Sequence, residues 1–483
     1  MSAELNHTPD WVKNAVFYQI FPDRFAWSSR VEKPGNFEPW EAPPTVNGFK
    51  GGDLLGVAEK LDYLEDLGIN AIYFNPIFQS ASNHRYHTHD YYQVDPLLGG
   101  NKAFKELLDE AHKRSIRIIL DGVFNHASRG FFQFNNILEV GAKSPYLDWF
   151  FVHGFPLRAY DGDPNYECWW CLPGLPKFNT NNPQVRKYLF DVARYWVDQG
   201  IDGWRLDVPY EVDDDGFWQE FRSVVKTANP EAYIVGEIPS EAQRWLNGDM
   251  FDGVMNYQLT HACLSFFGGF KIDRPLAEGM MGLEIPKPLD ATQFAQRTQE
   301  LLTIYPHEFA LAQLNLLDSH DMPRFLSLVQ NDTQRLYLAY LFIMTYPGVP
   351  CIYYGDEIGL TGGKDPLCRK AFPWDESDWN AKLRDRIKEL VYLRNAIPAL
   401  RTGSYKILLT QGGLLAYLRQ DENDSIIVVI NLDDHLQKFD LDLLGSLPEG
   451  TVLQDQIGDL QITVENGELN MLSVPQMSAL ILA

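Results

Sequence analysis

Cationic residues are scarce in this chain: 41 Lys and Arg stand against 65 Asp and Glu, a formal charge of -24 over 483 residues. That balance excludes nucleic acid as a main partner, because binding a polyanion needs a reservoir of phosphate-neutralising cations. Neutral ligands are favoured. Cysteine is scarce too. Five in a chain of this length make no disulfide framework, and their odd number leaves at least one free thiol, so a reducing cytoplasm is the simpler setting. A membrane span is also missing: the most apolar stretch, Leu336 to Tyr354, is broken by Pro347 and Pro350 and reads as helix, loop and strand. The segment MSAELNHTPDWVKN lacks the basic patch and apolar run of a secretory signal, so export is not expected. There is no low-complexity tract and no fixed-period repeat.

What the chain does have is alternation. Short β-branched and aromatic runs at Val16–Phe21, Ala71–Asn75, Arg117–Phe124, Gly203–Val208, Tyr233–Glu237, Gly253–Tyr257, Gln313–Leu317 and Cys351–Tyr354 read as eight strands. Amphipathic stretches lie between them, such as Leu54–Leu67, Asn101–Arg114 and Pro183–Gln199. Eight such units predict a closed (β/α)8 barrel, over residues 1–126 and 180–399. The interval 127–179 is too long for a simple connection and reads as an inserted lid domain after the third strand. From residue 400 to 483 shorter alternating runs predict a C-terminal all-β sandwich. Aromatics make up 13% of the chain; most of them are assigned to the core, although Trp and Tyr also suit stacking on sugar rings.

Four segments put an ionisable residue where a strand-like run ends: Asp121-Gly122-Val123-Phe124-Asn125-His126, Gly203-Trp204-Arg205-Leu206-Asp207, Gly236-Glu237-Ile238 and Asp318-Ser319-His320-Asp321. Barrel enzymes place their catalytic groups at C-terminal strand ends. A close set of carboxylates, here Asp207, Glu237 and Asp321, is the equipment for opening a glycosidic bond through an oxocarbenium-like transition state. Arg205, two residues before Asp207 and so on the same face of its strand, can hold that carboxylate ionised through a charge-assisted bond.

Taken in order, from Val16-Phe17-Tyr18-Gln19-Ile20-Phe21-Pro22-Asp23-Arg24-Phe25 to Ile352-Tyr353-Tyr354-Gly355-Asp356-Glu357-Ile358-Gly359, these segments resemble the α-amylase family of glycoside hydrolases over essentially the whole barrel. Val208-Pro209-Tyr210-Glu211 and Leu175-Pro176-Lys177-Phe178-Asn179 favour its neopullulanase, cyclomaltodextrinase and maltogenic amylase group. The resemblance implies a retaining α-glucan hydrolase with Asp207 as nucleophile, Glu237 as acid and base, and Asp321 as the third carboxylate. It places Asp121, His126, Arg205 and His320 around the reacting ring and implies that Tyr86 stacks on that ring. Asp365 and Arg369 resemble a pair closing the non-reducing side of the cleft.

The sequence also departs from the group. His87 stands where Asp is more common, and Pro209, Tyr210 and Pro239 replace usual acceptor-side residues, so the linkage preference stays open between α-1,4 and α-1,6. Transglycosylation and debranching are the neighbouring activities; a non-catalytic sugar-binding barrel is disfavoured by the three retained carboxylates. The group's N-terminal β domain has no counterpart before Val16, so a dimer built through that domain is not expected, and the oligomeric state is left open. The calcium loop of the group, rich in Asn and Asp, reads Ala26-Trp27-Ser28-Ser29-Arg30-Val31-Glu32-Lys33 here, with only Gly52-Asp53 kept. A hard cation wants six or more oxygens, so no metal and no cofactor is expected. Cys168-Trp169-Trp170-Cys171 lacks the two further ligands that zinc needs and reads as packing or a sugar platform.

Overall fold

The computed structural model describes residues 7–443 and 445–483; the first six residues of the N-terminal segment read above lie outside them. Eight parallel strands form around one axis, each a short run of residues with no exposed position except the first of the third. They are β1 (Phe17–Ile20), β2 (Ala71–Phe74), β3 (Arg117–Gly122), β4 (Gly203–Leu206), β5 (Tyr233–Gly236), β6 (Gly253–Val254), β7 (Leu314–Leu316) and β8 (Val349–Tyr353). The hydrogen-bonded order runs β6-β5-β4-β3-β2-β1-β8-β7, and a single parallel bridge between Met255 and Leu314 joins the two ends into a ring. All eight coincide with the runs read from the sequence. Continuous burial explains why they read as unbroken apolar runs rather than alternating ones: a parallel barrel strand is covered on both faces.

The helices between them follow the 3.6-residue pattern, with Gly100–Lys113 and Pro183–Asp198 close to their expected bounds. The second has Pro183 inside its first turn and Asn182 accepting from the Gln184 amide, a start that satisfies one otherwise free donor. The expected helix Leu54–Leu67 is instead two, Leu54–Ala58 and Leu61–Asp66. Gly56 lies so close to the Ala26 backbone that a Cβ there would sit 2.5 Å from the carbonyl carbon, and Ser28 donates to Glu59 at 2.6 Å. These contacts tie the first turn to the loop after β1, and Lys60 leaves helical geometry.

After β3 the chain runs through a helix, Phe132–Val140, and then through irregular structure held by single bridges, His126 with Lys177, Phe150 with Phe178, Val152 with Tyr166 and Cys168 with Pro176. Beyond the barrel lies a four-stranded antiparallel sheet ordered β9 (Ser404–Gln411), β10 (Leu414–Gln420), β11 (Ser425–Asn431) and β16 (Ser478–Leu482). Facing it are the pairs β12 (Gln437–Asp442) with β15 (Glu468–Val474) and β13 (Val452–Gln454) with β14 (Gln461–Thr463). Leu414, Leu418 and Val429 of the larger sheet share a core with Leu441, Leu469 and Leu472. Of these strands β12, β14 and β15 escaped the sequence reading, because fewer than half of their residues are buried and no continuous apolar run marks them.

In the loop after β1 a lysine occupies the oxygens that a cation would use. The Lys33 ammonium contacts both the Gly51 carbonyl and the Asp53 carboxylate, and Asp53 is fully buried while capping Gly56 at 2.7 Å and accepting from Ser28 at 2.8 Å. A side-chain cation on these oxygens does not fit a metal ion on the same ones. Replacing Lys33 by Ala leaves a buried carboxylate without its counter-charge, a loss of about 3 kcal/mol. A thermal melt of Lys33→Ala should therefore fall by several degrees, whereas EDTA should leave the wild-type melting temperature where it was; a chelator-induced fall restored by calcium would contradict this.

Candidate active site

Strand register brings the acidic residues together. Asp121 of β3 is paired directly with Arg205 of β4, while Asp207 and Glu237 follow the last residues of β4 and β5. Arg205 is fully buried and serves all three. Its Nη1 lies 2.9 Å from each carboxylate oxygen of Asp121 and 3.1 Å from Asp207 Oδ1; its Nη2 lies 2.7 Å from Glu237 Oε1. The expectation that Arg205 pairs with Asp207 is met, but Asp121 takes the larger share. Val208 adds a second contact: its amide donates to Glu237 Oε2 at 3.2 Å from a left-handed backbone, φ 37 and ψ 50. A β-branched residue there is strained, and such strain collects at working sites.

Asp321, four residues beyond Leu317, approaches from the other side of the rim. Arg369 Nη2 contacts its Oδ1 at 3.0 Å, donates through Nε to the His320 carbonyl at 2.8 Å and pairs through Nη1 with Asp365 at 3.1 Å. One guanidinium thus fixes the His320–Asp321 segment and links it to Asp365. Tyr86 lies beside His320, ring centres 5.5 Å apart and 8° from parallel, and its hydroxyl meets Asp121 Oδ2 at 2.8 Å and His320 Nε2 at 2.6 Å. Gln19 donates to His320 Nδ1 at 3.0 Å, which places the ring proton on Nε2, toward Tyr86 and Asp321. His126 stands apart from this network. Asn125 donates to its Nδ1 at 3.2 Å, so Nε2 carries the proton, and that buried donor has no partner.

Electrostatics follow burial. Desolvation pushes Glu237 up to about 7, against the opposing Arg205 charge, and like carboxylates add to the rise. Asp207 and Asp121 are raised by the same burial, with Arg205 opposing. One cation facing three buried carboxyls leaves excess negative charge, so a proton stays with the Asp207 and Glu237 pair near neutrality. Both histidines are held neutral by burial, His126 down to about 3 and His320 also well below its ordinary value.

Every residue singled out from the sequence therefore lies at the C-terminal rim: Asp207, Glu237, Asp121 and Arg205 in one group, Asp321, His320, Tyr86, Asp365 and Arg369 in a second joined to it through Tyr86, and His126 alongside. Residues that the sequence reading passed over are Gln19, Tyr73, Asn75 and Val208. Tyr73 donates to Asp121 at 3.0 Å, and Asn75 donates to Tyr86 at 3.1 Å and accepts from Gln19 at 3.0 Å. The available signal was a Gln or Asn in or just beyond an otherwise apolar strand.

A parallel eight-stranded barrel with acidic residues converging at its C-terminal rim is the layout of a barrel glycoside hydrolase. The chain belongs to the α-amylase family, whose catalytic-domain profile matches residues 19–396. It is 46% identical over 429 residues to a cyclomaltodextrinase of Bacillus sp., covering 88% of this chain and 74% of that protein. Among solved structures, Ttha1563 of Thermus thermophilus is 50% identical with a TM-score of 0.94, covering 98% of this chain and 99% of that one. The debranching enzyme of Nostoc punctiforme is 47% identical with a TM-score of 0.89, covering 99% of both chains. Among the described residues no helix is long and apolar enough to cross a membrane.

The raised Glu237 has a stability consequence. Its folded value of about 7 lies above the ordinary 4.5, so between these pH values the folded protein binds more protons than the unfolded chain. Stability then falls as pH rises through that window, by about 3 kcal/mol in full. Glu237→Gln removes the penalty. Its melting temperature should exceed that of the wild type by a few degrees at pH 8 and by little at pH 4.5; an equal shift at both pH values would contradict the assignment.

Proposed function

We propose that this protein hydrolyses α-glucosidic bonds in maltooligosaccharides, pullulan-like or cyclodextrin-like chains with retention of configuration. The observation that carries the reading is a single guanidinium, Arg205, in contact with both Asp207 and Glu237. It keeps the two carboxyls within its own span, as a retaining enzyme needs them at about 5 Å rather than the wider gap of an inverting one. Asp207 attacks C1 while Glu237 gives its proton to the departing oxygen; Glu237 then takes a proton from water, and that water displaces Asp207 from C1. This reading puts the shared proton on Glu237 at rest, where the departing oxygen needs it. Asp321 and the Nε2 proton of His126 are assigned to sugar hydroxyls, with Tyr86 beneath the ring. Asp365 and Arg369 close the non-reducing side, a role supported by their link to Asp321.

The likeness to both a cyclomaltodextrinase and a debranching enzyme keeps α-1,4 and α-1,6 cleavage together in this reading. Division into a barrel (1–126 and 180–399), a lid (127–179) and a C-terminal β domain (400–483) is supported by the irregular structure after β3 and the separate apolar core after residue 400. Five unpaired cysteines support a reducing, cytoplasmic setting.

The two carboxyl roles separate by substrate. Glu237→Gln should lose about a thousandfold or more of kcat on maltooligosaccharides yet form a covalent sugar on the Asp207 peptide with α-maltosyl fluoride, whose leaving group needs no proton. Asp207→Asn should fail with both; mass spectrometry reads the adduct, and an adduct elsewhere would overturn the assignment. Because the acid must be protonated, kcat/KM should fall about tenfold per pH unit above about 7, the value of Glu237. Products from pullulan, panose against maltotriose, name the bond cleaved.

A further inference from the structure

The lid holds a pair of thiols that the chemistry above does not use. Cys168 and Cys171 enclose Trp169 and Trp170 at the two ends of a single 3-10 turn, Trp169–Cys171, for which Cys168 is the residue before the first. Hydrogen bonds in such a turn join residues three apart, and a chain that reverses over four residues brings its first and last Cα atoms within about 7 Å. A disulfide needs them about 4.4 to 6.8 Å apart. The two thiols also sense each other: burial pushes Cys168 up to about 11, and the nearby Cys171 adds to the rise. The other three cysteines, Cys263, Cys351 and Cys368, are buried, whereas Cys171 is exposed and Cys168 half-buried. An exposed thiol beside a sheltered one suits thiol exchange, with one sulfur for entry and one to resolve.

The turn is strained, and it touches the site. Trp170 and Cys171 both have left-handed backbone, φ 50 and φ 56, in residues that carry a Cβ. Strain of this kind gathers at switch segments. On either side of the turn the backbone is fixed: Cys168 forms a bridge with Pro176, the Trp169 amide donates to the Leu175 carbonyl at 3.0 Å, and Lys177 forms a bridge with His126. Trp169 packs on His126, ring centres 5.5 Å apart and 21° from parallel. The two thiols therefore flank the ring that covers an active-site histidine, and a bond that draws Cys171 toward Cys168 re-aims that ring.

We propose that Cys168 and Cys171 form a reversible dithiol–disulfide site, oxidised by small-molecule disulfides, and that closing the bond lowers activity by shifting Trp169 from its seat on His126. The Cys171 thiolate attacks one sulfur of the small disulfide, whose S–S bond breaks and releases one thiolate. Cys168 gives its proton to solvent and attacks the Cys171 sulfur of the mixed disulfide, and the second thiolate leaves. Two protein thiols are oxidised, one small disulfide is reduced to two thiols, and the two protons end on the leaving sulfurs. A dithiol such as dithiothreitol reverses each step.

The intact chain, incubated with oxidised glutathione, quenched with acid, alkylated and digested with trypsin, tests this, because both cysteines lie on one tryptic peptide, Ala159–Lys177. That peptide should lose two hydrogens and resist alkylation, while the peptides carrying Cys263, Cys351 and Cys368 take the label once unfolded. On maltoheptaose kcat/KM should fall about fivefold in step with closure of the pair and return with dithiothreitol. Cys171→Ser should keep wild-type activity and lose the response to oxidant, and Cys168→Ser should stop at a glutathione adduct on Cys171. In the wild type, a lasting glutathione adduct on Cys171 with no internal bond overturns the pair, and a closed pair with unchanged kcat/KM overturns its control of activity. The mass measurement does not depend on the substrate: if the wild type neither binds nor cleaves α-glucans, the functional reading fails while the thiol result stands.

Discussion

The rim of this barrel is organised by one buried cation. Arg205 has no route to solvent and lies within 3.1 Å of Asp121, Asp207 and Glu237. Without it three carboxylates would be forced together in a medium that strongly disfavours even one isolated charge. With it, one positive charge is divided among three acids, and a proton lessens the negative charge that remains. That proton is what an acid catalyst needs to hold at neutral pH. The raised pKa of Glu237 comes first from its burial, with the neighbouring carboxylates adding to it, and the stability it costs is the price of a poised acid.

A second layer holds the first in place. Asp121 receives hydrogen bonds from Tyr73 and Tyr86 in addition to Arg205, so its position is fixed by four contacts from three different parts of the barrel. Tyr86 in turn is fixed between Asp121, Asn75 and His320. The chain Gln19 to His320 to Tyr86 to Asp121 to Arg205 crosses the mouth of the barrel, and it determines which nitrogen of His320 carries its proton. Each group in it has a partner. Among the buried donors without a hydrogen-bond partner, His126 Nε2 and Trp169 Nε1 belong to two rings that pack on each other on the lid side.

What could be read from the sequence depended on how local the cause was. The barrel strands are buried runs, and β3, β4 and β5 carry an acid at or just beyond their ends, so strands and these acids were visible in single segments such as Gly203 to Asp207. Partners distant in the chain were not: nothing local announces that Arg369 grips Asp321, 48 residues away. Gln19 and Asn75 were hidden by their apolar neighbours, and the left-handed turn at Val208 runs against the preference of a β-branched residue. The broken helix between Leu54 and Asp66 failed for a related reason. Its amphipathic pattern is continuous, and the break is imposed by the close packing of Gly56 on the distant loop that carries Ala26.

The scarcity of cations noted at the outset becomes informative once their positions are known. Arg24, Arg205, Arg222 and Arg324 are all buried against acidic partners, and Lys33 and Lys226 make ion pairs with the fully buried Asp53 and Asp252. A cation placed inside, against an acid that must be inside, converts a costly lone charge into a neutral pair with defined geometry. In the loop after β1 the neutralising charge is likewise carried by a side chain, Lys33, so the buried Asp53 is balanced from within the chain. With these cations committed inside and a net charge of -24, the surface is left acidic. A surface of that sign repels polyanions and leaves an uncharged ligand unaffected, so the internal use of scarce cations and the neutrality of an α-glucan are two sides of the same charge distribution.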